Sequence, residues 1–185
     1  MTVKRLTLSG ITFIFAVYLT LATAYAQVAS SSSQTAATTQ IDYQLPYPGM
    51  FPDNPLYFLK VFRDQLTAFF LSKPLDKAQF DLMQSDKNVE AGYLLGTQQV
   101  GKSDLAIATI SSGEDDFSSA IDQTEAAKKQ GYSILEMSKK LDLSNQKHMQ
   151  VIKEIEGQVG KAQSQELKNE LNRAEAFAKK INALR

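Results

Sequence analysis

Cysteine is absent from all 185 residues. That single lack excludes disulfides, thiolate nucleophiles, Cys-ligated zinc and iron–sulfur clusters together. It does not argue against export, because a chain of this size can bury enough surface to hold a core without covalent staples. Tryptophan is absent too, and histidine occurs once, at His148. Net charge is also missing: 20 basic residues face 20 acidic ones. Without residues 1–26, which carry Lys4 and Arg5, the balance is 18 against 20, or −2. A nucleic-acid-binding domain carries a basic patch, so no nucleic-acid partner is expected. The two signs are interleaved, as on a solvated surface.

Long apolar runs are confined to the start. Lys4 and Arg5 precede an uncharged stretch whose centre is Ile11–Leu21, and Ala24-Tyr-Ala26 follows. A basic start, an apolar run and a small-x-small triplet in that order read as a secretory signal peptide, residues 1–26, cut after Ala26. The alternative is an uncleaved membrane anchor, since Leu6–Ala26 has about the 20-residue length that a membrane span needs. On either reading the remainder lies outside the cytoplasmic membrane, secreted or anchored. Residues 27–45 are rich in Ser, Thr, Ala and Gln with one acidic group, Asp42. So little apolar surface cannot offset ordering entropy, and a flexible tether is expected.

The folded domain is expected over residues 46–185. It opens with Pro46, Pro48, Pro52 and Pro55. Pro48-Gly49 fits a type II turn, because proline presets the first φ and glycine accepts the positive second one. Asn54 then reads as an N-cap and Pro55 as the first helical residue. The helix from Pro55 to about Leu71 sets Phe58, Leu59, Phe62, Leu66 and Phe69 on one face. Half of the ten phenylalanines lie between Phe51 and Phe70. A buried Phe or Leu contributes about 1.5–3 kcal/mol, so this face is expected to be core, and Leu56→Asp or Phe62→Asp to unfold the domain. Tyr47 and Phe51 are what remains free for a site.

Four more helices follow. One runs from Pro74 to about Val100 with Leu75, Ala78, Leu82, Ser85, Val89, Gly92 and Gly96 inward. Its small residues are expected to admit the Phe-rich first helix. The next, about Asp104 to Gln130 with Ser103 as N-cap, shows Ala106, Ile110, Phe117, Ile121 and Thr124 inward, and Ser111–Asp116 reads as a kink. Gly131 stops it. Ser133-Ile-Leu-Glu136 has capping-box form and opens a helix with Ile134, Met137, Leu141, His148, Ile152, Ile155 and Val159 inward; Leu143-Ser144 is a candidate break. The last, from about Ser164 to Leu184, shows Leu167, Leu171, Ala174, Ala178 and Ile181, with Phe177 and Leu184 widening the face. No alternating pattern competes, so the fold class is all-α: an antiparallel bundle of about five helices behind a signal peptide and tether.

Site chemistry is sparse. His148 lies on an apolar stripe with no carboxylate at i±3 or i±4, those positions being Ser144, Asn145, Val151 and Ile152. It reads as an interface histidine satisfied by a neighbour. Glu114, Asp115 and Asp116 lack the 1-3-5-7-9-12 spacing of a calcium loop, and other carboxylate pairs are expected on helix exteriors. No glycine-rich cradle follows a strand, and no serine stands in a nucleophile-elbow pattern. No catalytic, cofactor or metal residues are expected, and no enzyme.

One stretch is distinctive. Tyr47-Pro-Gly-Met-Phe-Pro-Asp-Asn-Pro-Leu-Tyr-Phe-Leu-Lys60 resembles the opening of an uncharacterised bacterial exported domain family with an all-helical body. Lys77-Ala78, Val89-Glu90-Ala91, Gly101-Lys102 and Lys147-His148 resemble its body more loosely. Gly92, Gly96 and Ser111–Gly113 depart from the Ala, Glu and Lys usual there. The resemblance implies an envelope or secreted domain and brings no catalytic residues. The function expected is a non-enzymatic extracytoplasmic helical interaction module with a protein partner. Membrane contact is expected only through the N-terminal segment, if that is retained. The alternative is an extracytoplasmic stress or metal sensor with chaperone character.

Overall fold

The computed structural model describes residues Ile41–Arg185. The expected signal segment and most of the expected tether lie outside the described residues. Among those described there are five helices and no strand: α1 (Tyr57–Phe70), α2 (Pro74–Gln98), α3 (Ser103–Lys129), α4 (Leu135–Glu156) and α5 (Lys161–Leu184).

Helices α2–α5 form the bundle. Successive helices run antiparallel, as their short joints require, but succession is not adjacency throughout. Asp86 of α2 meets His148 of α4, and Tyr93 meets Glu154 further along, so α2 and α4 are parallel neighbours. Asp104 meets Gln163 and Lys128 meets Leu184, so α3 and α5 are parallel neighbours as well. The bundle is therefore two antiparallel hairpins, α2–α3 and α4–α5, laid face to face, with α3 and α4 on a diagonal.

The inward stripes of α2–α5 are close to those expected. Ala78, Leu82, Val89, Ile110, Phe117, Ile121, Leu141, Ile152, Ile155, Leu167 and Ile181 are all buried. They fall into two apolar clusters, one around Phe117, Leu141 and Phe177, the other around Val89, Ile110 and Ile152. Gly101 and Gly131, at φ of +77° and +84°, supply the left-handed residue that follows α2 and α3.

Several local expectations are corrected. The kink at Ser111–Asp116 is absent, and α3 is continuous. Gly113 is there for contact: a Cβ on it would stand 3.0 Å from the Ser85 carbonyl oxygen of α2. Gly92 likewise packs against Ala106 and Ile110 of α3, and not against the Phe-rich first helix. Helix α4 runs through Leu143-Ser144 without a break. It starts at Leu135, after Ile134, with no side-chain cap, so Ser133 does not form the capping box; Glu136 instead pairs with Lys139 at 2.9 Å. At α1 the Asn54 side chain accepts from the Leu56 N–H at 2.9 Å in a turn, and the helix begins at Tyr57. Residues 41–45, expected in the tether, lie on the body: Leu45 packs beside the Val89 cluster and Tyr43 bonds Asp86.

The largest correction concerns α1, which has no buried residue. Phe58, Phe62, Phe69 and Phe70 are 63%, 65%, 80% and 71% exposed, and Leu59 and Leu66 are exposed beside them. These side chains do not fill the groove of Leu75, Ala78, Leu82 and Gly92, which α3, α4 and α5 already occupy. The side of α1 turned to the body carries Tyr57, Lys60, Asp64 and Ala68.

Candidate functional site

Among the described residues, two places hold the chemistry, and they are opposite in character. The first is a polar layer between the two apolar clusters. Leu82 and Val89 bracket Asp86 on α2, Ile110 and Phe117 bracket Glu114 on α3, and Leu141 and Val151 bracket Ser144 and His148 on α4. Each helix thus interrupts its apolar stripe at the same level. Glu114, Ser144 and His148 have no solvent exposure, and Asp86 has 4%.

His148 lies between two carboxylates. Its Nδ1 is 3.0 Å from Glu114 Oε1 and its Nε2 is 3.0 Å from Asp86 Oδ1. Only a ring carrying both protons donates to both. Burial opposes that charge, but the Glu114 carboxylate and the hydrogen bonds to Asp86 and Glu114 outweigh burial and raise the His148 pKa to about 9. Asp86 gathers two further donors, the Ser144 hydroxyl on Oδ1 at 2.5 Å and the Tyr43 hydroxyl on Oδ2 at 2.5 Å. Burial, then the charge of Asp86, push the Tyr43 hydroxyl well above its ordinary range, so it stays a donor. The Phe117 ring stacks obliquely on the imidazole with centroids 5.2 Å apart.

Ser144 Oγ is also 3.3 Å from His148 Nε2. Hydroxyl, imidazole and the Glu114 carboxylate thus stand in the order of a hydrolase triad. The arrangement does not perform that chemistry. Asp86 occupies the Nε2 side where the base would accept a proton, and it already takes the Ser144 hydroxyl. Nor does a substrate have a route to an Oγ with no exposure. The same geometry leaves neither ring nitrogen a free lone pair for a metal. The layer is a buried ion cluster that locks α2, α3, α4 and the Tyr43 segment together.

His148 is an interface residue satisfied by its neighbours, as its stripe implies. Those neighbours are Asp86 and Glu114, carboxylates that are buried and not, as expected, on helix exteriors. The available signal was a polar interruption in each of three apolar stripes: Asp86 on α2, Glu114 on α3, and Ser144 with His148 on α4. The three acids of α3 scatter: Glu114 turns to His148, Asp115 bonds Arg173 at 2.5 Å, and Asp116 accepts from Asn88 at 2.9 Å.

The second place is α1. Its underside covers a cavity of about 280 Å³ between it and the α2–α3 hairpin, lined by Lys60, Asp64, Asp81, Asn88 and Asp116 among others. Burial, then the charge of Asp81, raise Asp116 to about 6. Lys60, lowered by burial and raised in part by Asp64, lies 3.8 Å from that carboxylate. An ordinary surface helix turns its apolar face inward; α1 is mounted the other way round. Tyr47 is exposed beside it, whereas Phe51 is half-buried.

A family profile, Domain of unknown function (DUF5667), matches residues 49–162. The chain belongs to this family. No curated protein and no solved structure matches it. The DUF5667 match begins at Gly49 within the proline-rich segment, takes in α1–α4, and ends just inside α5. Asp86, Glu114, Ser144 and His148 fall within it, and Tyr43 precedes it. The outward-facing α1 and the α2–α4 members of the polar layer are thus parts of the DUF5667 region, while Tyr43 and most of α5 lie outside it.

Proposed function

We propose that this protein is a non-enzymatic, extracytoplasmic interaction module whose contact surface is the apolar face of α1. One observation carries the reading: a helix with an unmistakable apolar face presents that face to solvent. A phenylalanine offers about 150–250 Å², so the four exposed ones alone present on the order of 500 Å², the size of the largest apolar patches on monomeric proteins, which are often functional. The polar layer of the body is closed to substrates, which is why the reading is one of binding and not of turnover.

Because the chain contains no cysteine, single introduced cysteines test this directly. Phe62→Cys on α1 and Lys153→Cys on the exposed outer side of α4 are labelled with a membrane-impermeant maleimide, on intact cells and on purified protein. Both positions should label in the purified protein. On cells, Lys153→Cys should still label from outside, and Phe62→Cys should be protected. Equal labelling of both on cells removes α1 as the contact surface, and no labelling of either removes the extracytoplasmic location.

A further inference from the structure

We propose that the occupant of the α1 face is a lipid bilayer surface carrying anionic headgroups, with the phenylalanines seated at the boundary between headgroups and acyl chains. This rests on the reading of α1 as the contact surface and names what it contacts.

The outward residues Phe58, Phe62, Leu66 and Phe69 form one row along a single helix that stands proud of the bundle. An amphipathic helix lying in a membrane interface buries such a row about 5–10 Å deep and needs no groove in its partner. From Asn54 to Leu75 the only carboxylate is Asp64, whose side chain is 16% exposed and is held by Lys60 and Arg63. The outward charges of this stretch are Arg63 and Lys73, both cationic. That rim suits anionic headgroups. The nearest other carboxylates, Asp53 and Asp76, lie beyond the two ends of the row. On the anchor reading of Leu6–Ala26, fourteen residues, 27–40, separate the membrane-entering run from the described body. That many residues span at most about 50 Å when fully extended. An anchored chain therefore keeps α1 within reach of that membrane's surface, where a modest affinity suffices.

The absence of tryptophan supplies the test. Phe62→Trp places the sole indole of the chain on the α1 face. The full-length protein is reconstituted into vesicles of phosphatidylcholine and phosphatidylglycerol, with and without lipids brominated on their acyl chains. Blue-shifted emission that is largely lost in the brominated vesicles is the expected result. Adding Phe58→Glu and Phe69→Glu should abolish the quenching without changing the helical circular dichroism, since neither side chain is part of the core. Blue-shifted emission that bromine does not quench would mean that protein covers the face; the lipid proposal then falls and the interaction module stands. Water-like, unquenched emission in vesicles overturns the lipid proposal. If Phe62→Cys also labels freely on cells, the module reading falls with it.

Discussion

Helices α1 and α4 carry nearly the same message in sequence and meet opposite fates. Both set large apolar residues at i, i+3 and i+4 spacing, and α1 is the more aromatic. Yet Leu141, Ile152 and Ile155 of α4 have no exposure, while every large apolar residue on the outer side of α1 faces solvent. Conversely, the buried stripe of α4 contains a histidine and two polar neighbours, Ser144 and Asn145, which α1 lacks. Periodicity marks a face that can be buried. It does not say that the rest of the chain leaves room for it. Here α2–α5 close their own core on four sides, and a fifth apolar face is left over.

The sharpest way to break the contrast is to remove the charge at the centre of the polar layer. His148→Ala leaves Asp86 and Glu114 buried without their shared cation, and breaking a buried pair in this way costs about 3–5 kcal/mol. A urea melt should show it as a large drop in midpoint; a midpoint near wild type would mean that the layer does not hold the helices together. The same cluster predicts a pH dependence. The folded pKa of His148, raised to about 9, lies above the ordinary value near 6.5. Its contribution is therefore complete below about pH 6.5 and lost as pH rises through 9. The stability gap between wild type and His148→Ala should narrow across that window, and a gap that widens would reverse the assignment.

Packing between α2 and α3 gives the intermediate effect. A Cβ at Gly92 would stand 2.8 Å from the Ala106 carbonyl oxygen and 2.5 Å from Ile110 Cγ1. Gly92→Ala should thus destabilise by about 1–3 kcal/mol through overpacking, even though alanine favours the helix by about 1 kcal/mol. A gain in melting temperature would show that the two helices can move apart. The smallest effects belong to α1. Phe62→Asp should leave the unfolding midpoint of the free protein within about 0.5 kcal/mol of wild type, in contrast to the collapse that a core position would show. Ser133→Ala, just ahead of α4, should be equally silent, since that hydroxyl caps nothing.

How far the sequence reaches differs between these regions. Helix number, approximate limits and the inward stripes of α2–α5 follow from 3.6-residue periodicity and from the Gly101 and Gly131 stops, all local properties. The polar layer is half legible. His148 stands out on its stripe, but Asp86 and Glu114 lie 62 and 34 residues away, and nothing local brings them to one level. Tyr43 was hidden for the same reason, in a segment whose composition reads as tether. The kink expected at Ser111–Asp116 failed because Gly113 answers to a neighbouring backbone and not to its own helix.

The chain by itself therefore determined an all-helical body without disulfides and an amphipathic face for each helix, because those depend on residue chemistry and on spacing along one strand of polypeptide. Tertiary structure alone decided which four faces close on one another, that three buried ionisable groups meet at one level between two apolar clusters, and that α1 rests on its polar side. The physical reason is volume. A bundle interior holds a limited number of side chains at native density, and once α2–α5 have filled it, the most aromatic of the five described helices is turned outward.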